Sequence, residues 1–157
     1  MAIVLKDPKE YYASLPKKAG AASVLIFKKD RVLILETSYK QTWEVPGGVV
    51  EQDESFLQAA LRECREEIGC EIEIKGLLCV DYQTASEIVG GDRVNFTFWG
   101  EIGDQDIKVD NHEIKSYLWA TLEEARQKIT SDKLFARLSA AIKAKENGTT
   151  YYCENSE

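Results

Sequence analysis

The chain has no long apolar run. Its 157 residues hold nothing near the roughly 18 consecutive apolar residues of a membrane span. The stretch from Met1 to Lys18 also lacks the apolar segment of a secretory signal, so the expected place is the cytoplasm, away from any membrane. Basic residues are scarce: 20 Lys and Arg against 27 Asp and Glu leave a net charge of -7. An extended nucleic-acid surface needs clustered cations to neutralise phosphates, and none is expected here. Histidine occurs once, and a lone His112 in a polar loop is too little to carry a general-base assignment. The four cysteines, Cys64, Cys70, Cys79 and Cys153, show no CxxC or other metal-ligand spacing. They read as reduced core residues, with Cys153 an exposed thiol in the tail. No internal repeat, low-complexity block or linker interrupts the chain. One domain over residues 1–157 is expected, with an arm at 1–18 and a frayed tail at 148–157.

What the chain has in quantity is carboxylate, and six of these groups fall between Gly48 and Cys70, in GVVEQDESFLQAALRECREEIGC. Ser55 followed three residues later by Gln58 is a capping box, and Gly69 supplies a left-handed exit, so a helix is predicted from about Ser55 to Ile68. At about 100° per residue, Leu57, Ala60, Leu61, Cys64 and Ile68 form one apolar stripe. Glu63, Glu66 and Glu67 form a second arc beside it, with Glu63 and Glu67 one turn apart. Like charges at that spacing repel, and acids in a last turn oppose the helix dipole. Two readings fit this. One is a solvated charged face partly compensated by Arg62 and Arg65. The other is a site for a hard divalent cation, Mg²⁺ or Mn²⁺, which prefers carboxylate oxygen and turns repulsion into coordination.

The same stretch resembles the Nudix box, Gx5Ex7REUxEExGU with U aliphatic: Gly48, Glu54, Arg62, Glu63, Glu66, Glu67 and Gly69 each stand in the required place. Seven fixed matches arise by chance in roughly one window in a hundred million. Cys64 and Cys70 occupy the aliphatic positions, a departure that concerns packing and not metal binding. The resemblance implies a Nudix-type α/β/α sandwich, with a mixed β-sheet between helices and the box as loop–helix–loop at the sheet edge. It also implies Mg²⁺-dependent cleavage of a diphosphate bond in a nucleoside diphosphate linked to another moiety, giving a nucleoside monophosphate and a phosphorylated product. Glu63, Glu66 and Glu67, with the Gly47 carbonyl, are the implied metal ligands. Glu63 or Glu113 is the implied base, and Glu54 and Arg62 form a supporting pair. A carboxylate-bound cation would also explain how so acidic a chain, as monomer or homodimer, holds a phosphorylated small molecule. The alternative is a nucleotide-binding sensor that keeps the scaffold without turnover. Marker residues beyond the box that distinguish substrates in such families are not matched by Ala85, Ser86, Glu87 or Ile88.

Elsewhere, Gly20 to Phe27 and Val32 to Glu36 read as a hairpin around the polar Lys28 to Arg31 turn. Pro46-Gly47-Gly48 reads as a sharp turn into the box. Leu77 to Tyr82 and Val94 to Ile102 read as strands joined by a loop in which Arg93 is a candidate phosphate contact; Lys40 is a second such candidate. A short strand, Tyr117 to Ala120, leads to a second capping box, Thr121 with Glu124. Ser131 to Lys145 carries the helical spacing of a closing amphipathic helix.

Overall fold

The structure, a computed structural model, describes residues 7–85 and 91–156. A short helix, α1 (Pro8–Ser14), stands where only an arm was expected. The Asp7 carboxylate accepts from the Lys9 N–H at 2.7 Å and proline occupies the first turn, so Asp7 and Pro8 are a cap and a helix start. Strands β1 (Ala19–Lys28) and β2 (Arg31–Thr37) form the expected antiparallel hairpin. Then come β3 (Trp43–Glu44), β4 (Gly47–Val49), α2 (Phe56–Ile68), β5 (Glu73–Gln83), β6 (Arg93–Glu101), β7 (Ile114–Ala120), α3 (Leu122–Lys128), α4 (Asp132–Glu146) and β8 (Tyr151–Glu154).

Among the described residues the sheet runs β3-β2-β1-β6-β5-β8, with β4 paired to β1 and β7 to β2. It is mixed: β1 lies parallel to β6 and β5 to β8, and the other pairings are antiparallel. Alternation along β1 makes two cores. Ala22, Val24 and Ile26 face α2, meeting Ala59, Ala60, Cys64 and Ile68; Leu25 faces the opposite side with Leu138, Ala141 and Ala144 of α4. This is the expected α/β/α sandwich.

Helix α2 has both halves of its capping box and ends at Gly69, at φ 65°. The buried stripe is offset from the sequence reading: Ala59 is buried and Leu57 is 41% exposed. Small residues let α2 approach the sheet, so the stripe centres on Ala59 and Ala60 and not on the larger leucines. Phe56 completes the contact, its ring 4.0 Å from that of Phe96. Three further expectations change. The turn is confined to a bend at Pro46, and Gly47 and Gly48 run extended in β4, held against β1. The expected tail at 148–157 is not frayed over its described residues, 148–156: β8 adds to the sheet edge, and Ser156 donates to the Asp81 carboxylate through its backbone N–H at 2.8 Å and its hydroxyl at 3.0 Å. Cys153 is therefore buried, as are the other three thiols, all free. The Glu87 to Arg93 loop falls largely in 86–90, outside the described residues.

Candidate metal and ligand site

Where β4 crosses the face of α2, its backbone turns half of its polar groups toward the helix. Val24 N–H bonds the Pro46 carbonyl and Val50 N–H bonds the Gly20 carbonyl, each at 2.9 Å. In an antiparallel ladder the residues between such bonds point their N–H and C=O the other way. Gly47 and Val49 do this: Gly47 N–H donates to Glu67 Oε2 at 2.9 Å, and the Val49 carbonyl accepts from Arg62 at 3.0 Å. The Gly47 carbonyl shares that outward direction. Gly47 is sterically required by the backbone behind it, and Gly48 leaves room for the Glu63 carboxylate. A Cβ on Gly47, at φ 150°, would stand 2.3 Å from the Ala22 carbonyl oxygen, and one on Gly48 would stand 2.2 Å from Glu63 Oε1. Gly48→Ala is therefore expected to push the Glu63 carboxylate aside. Divalent-cation affinity should fall by about tenfold or more with the melting curve little changed, as titration calorimetry with Mn²⁺ would show.

Arg62 organises the carboxylates. Its Nε and one terminal nitrogen grip Glu54 at 2.9 and 3.1 Å, and its other terminal nitrogen bonds Glu63 at 2.8 Å and Glu66 at 3.0 Å. Glu54 also accepts from Glu51 N–H at 3.0 Å. These bonds, Arg62's first, hold the Glu54 carboxyl below the usual range and keep the guanidinium charged. Glu63 moves the other way: burial raises it, with Arg62 opposing. Glu67 is pushed up to about 8, mainly by burial, with the Gly47 N–H opposing and the charges of Glu63, Glu44 and Glu113 adding to the rise.

Glu54, Arg62, Glu63, Glu66, Glu67 and Gly47 thus gather at one place, with Glu113 outside their hydrogen-bonded set. Its carboxylate is exposed, yet its charge acts on both Glu63 and Glu67. Its backbone is fixed by the Asp110 carboxylate, which accepts from Glu113 N–H at 3.0 Å and Ile114 N–H at 2.8 Å. Glu66 is the outlying member, with a side chain 60% exposed. Among the described residues, no three acidic, His or Cys side chains are already closed into a metal cage. Glu63 and Glu66 lean on Arg62, and Glu67 leans on Gly47 N–H. The donor chemistry nonetheless fits a hard divalent cation, because mutually repelling carboxylates and an outward carbonyl are all oxygen ligands. Such a cation would relieve the strain that raises Glu67.

On the other side of Gly47 and Gly48, facing α4, lies a cleft of about 220 Å³. Ser23, Asn95, Thr97, Arg93 and Arg137 line its polar side, and Leu25, Leu134 and Leu138 its apolar side. Glu44 and Lys40, paired at 3.0 Å, are also part of the lining. Arg137 is answered by the fully buried Asp81 at 3.2 Å. Sequence reading missed Glu44, Asn95, Arg137 and Asp81. The last two had a signal: each is a lone charge in an otherwise apolar face, and the signs are opposite.

The architecture is therefore an α/β/α sandwich carrying helix-borne glutamates over a glycine strand, beside a cleft at the sheet. A family model, the NUDIX domain, matches residues 17–138, and the chain belongs to that family. It is 32% identical over 89 residues to a MutT-like protein of Streptomyces ambofaciens, covering 57% of this chain and 58% of that protein. It is 26% identical over 151 residues to the RNA pyrophosphohydrolase of Pelagibacter ubique (strain HTCC1062), covering 85% and 94%. A NUDIX hydrolase structure from Nitrosomonas europaea superposes with a TM-score of 0.70 at 25% identity, over 86% of this chain and 93% of that one. No helix among the described residues is long and apolar enough to cross a membrane.

Proposed function

We propose that the chain hydrolyses a diphosphate bond, with Mg²⁺ or Mn²⁺ as cofactor, in a nucleoside diphosphate linked to another moiety. Products are a nucleoside monophosphate and the phosphorylated remainder. The observation that carries this reading is the meeting of Glu63, Glu67 and the outward Gly47 backbone beside a cleft that Arg93 and Arg137 line. The similarity to a pyrophosphohydrolase over most of both chains supports it.

Glu63, Glu66, Glu67 and the Gly47 carbonyl would hold the cation. When bound, the cation neutralises phosphate oxygens and makes the phosphorus a better electrophile. Arg62 aims Glu63, and the Glu54 pair fixes Arg62 against the strand. Glu63 or Glu113 takes the proton of the attacking water as its oxygen bonds to phosphorus, while the bridging oxygen leaves with the bonding electrons. Glu113 suits the task through its exposed side chain, on a backbone that Asp110 fixes.

The test is phosphate or monophosphate release from a substrate panel with Mg²⁺: nucleoside triphosphates, sugar nucleotides, dinucleotides and a 5′-triphosphorylated oligonucleotide. Cleavage of at least one, abolished by EDTA, is the expected result. Tight nucleotide binding without release from any of them would favour the sensor reading. Preference for the oligonucleotide would overturn the small-molecule assignment.

A further inference from the structure

We propose that Arg93 is the residue that reads the nucleobase, donating from its guanidinium to a ring-nitrogen or carbonyl acceptor on the base edge of a nucleotide lying in the cleft. This rests on the nucleotide reading above. The starting observation is a missing partner: Arg93 Nε is shut off from solvent and has no hydrogen-bond partner among the described residues. A buried donor left unsatisfied costs stability, and this one belongs to a residue lining the cleft. The neighbouring arginine differs, because Arg137 has its carboxylate in Asp81.

Strand geometry places Arg93 at the end of the cleft away from the glutamates. Ser23 is paired with Gly47 on one side and with Thr97 on the other, while Ala19 is paired with Arg93. Arg93, Asn95 and Thr97 share one face of β6, and Arg93 lies four residues from Thr97, about 13 Å along the strand. That is close to the reach of one extended nucleotide from its phosphates to the far edge of its base. Between the two ends lies Asn95, paired with the Asp81 that Arg137 bonds, and Leu134 and Leu138 on either side of Arg137 give the cleft an apolar wall, which suits a flat ring more than a phosphate. Asn95, 3% exposed, stands beside Arg93 and can read the same edge, since its amide nitrogen makes only a long 3.4 Å contact to the Asp81 carbonyl. Guanidinium is the side-chain group best matched to paired acceptors on a base.

Titration calorimetry in Mg²⁺ with AMP, GMP, CMP and UMP, and with ribose 5-phosphate as a base-free probe, tests the assignment. The parent protein should bind at least one monophosphate about tenfold or more tighter than ribose 5-phosphate. In Arg93→Gln that ratio should fall to near one. If Arg93→Gln fails to fold, Arg93→Lys serves, and its ratio should fall at least several-fold because one ammonium cannot span the same acceptors. A parent ratio near one, or a ratio that survives substitution, overturns the proposal. The hydrolase reading fails separately. A protein that cleaves no diphosphate yet loses base discrimination on substitution keeps Arg93 in this role, and an active enzyme whose ratio survives does the reverse.

Discussion

Glu67→Gln should lower turnover by about a thousandfold or more, with Mg²⁺ saturating and far-ultraviolet circular dichroism unchanged. The amide keeps the shape and can still accept from Gly47 N–H, whose 2.9 Å bond ties β4 to α2. What it loses is the charge that a divalent cation requires. Near-normal activity in the substrate assay would remove Glu67 from the metal site. The same variant makes a second test in EDTA, where no cation relieves the carboxylate. The folded Glu67 carboxyl titrates at about 8 against an ordinary 4.5. Below the ordinary value it is protonated in both folded and unfolded chains and has no effect on stability. Between the two values only the folded chain keeps the proton. Stability therefore falls as pH rises through that window, and the full penalty applies above it. Metal-free Glu67→Gln should match the parent near pH 4 and melt at least about 3 °C higher at pH 9. A parent that melts as high as the variant at pH 9 would show that the acidic cluster is not strained.

Arg62→Ala is expected to have the largest structural effect of any single change at the site. It would strip hydrogen bonds from Glu54, Glu63, Glu66 and the Val49 carbonyl together, leaving partly buried carboxylates to repel one another. The side chains of Arg62 and Glu54 are still 21% and 14% exposed, so the loss is put at about 2 kcal/mol, below that of a fully buried pair. A fall in melting temperature of about 5 °C, read by calorimetry in EDTA, corresponds to that. Activity should drop about a hundredfold as Glu63 loses its aim. Arg62→Lys should recover little of either, because an ammonium cannot fork to Glu54 while holding Glu63. Full activity in the lysine variant would mean that charge alone, without geometry, is what the site needs.

The acidic helix was legible because its signals are local. A capping box, a terminal glycine and charges placed against the helix dipole all sit within one 23-residue stretch, and the resemblance carried by that stretch implied the pairing of Arg62 with Glu54. Where Glu113 stands relative to the acidic helix could not be read from the chain, since it depends on how β7 lies beside β2. Pro46-Gly47-Gly48 looked like a turn because two glycines and a proline usually make one. Here the glycines answer a crowding problem, the Ala22 carbonyl behind one and the Glu63 carboxylate beside the other. Arg137 was hidden inside an amphipathic pattern and became meaningful only with Asp81, 56 positions earlier, underneath it. The tail looked frayed because a four-residue strand carries almost no periodicity, and its place beside β5 is set by partners over 70 residues away.

That last pairing has a consequence for the order in which the molecule is completed. Asp81 is held from three directions: by Arg137 on α4, by Gln83 on its own strand and by Ser156 beyond β8. The Ser156 bond closes a loop of 75 residues, and closures of that length are entropically late. The anion beneath the cleft wall is thus locked only when nearly all of the sequence has found its place. The carboxylate helix can take shape early from its own caps, whereas the compartment beside it waits for the closing strand.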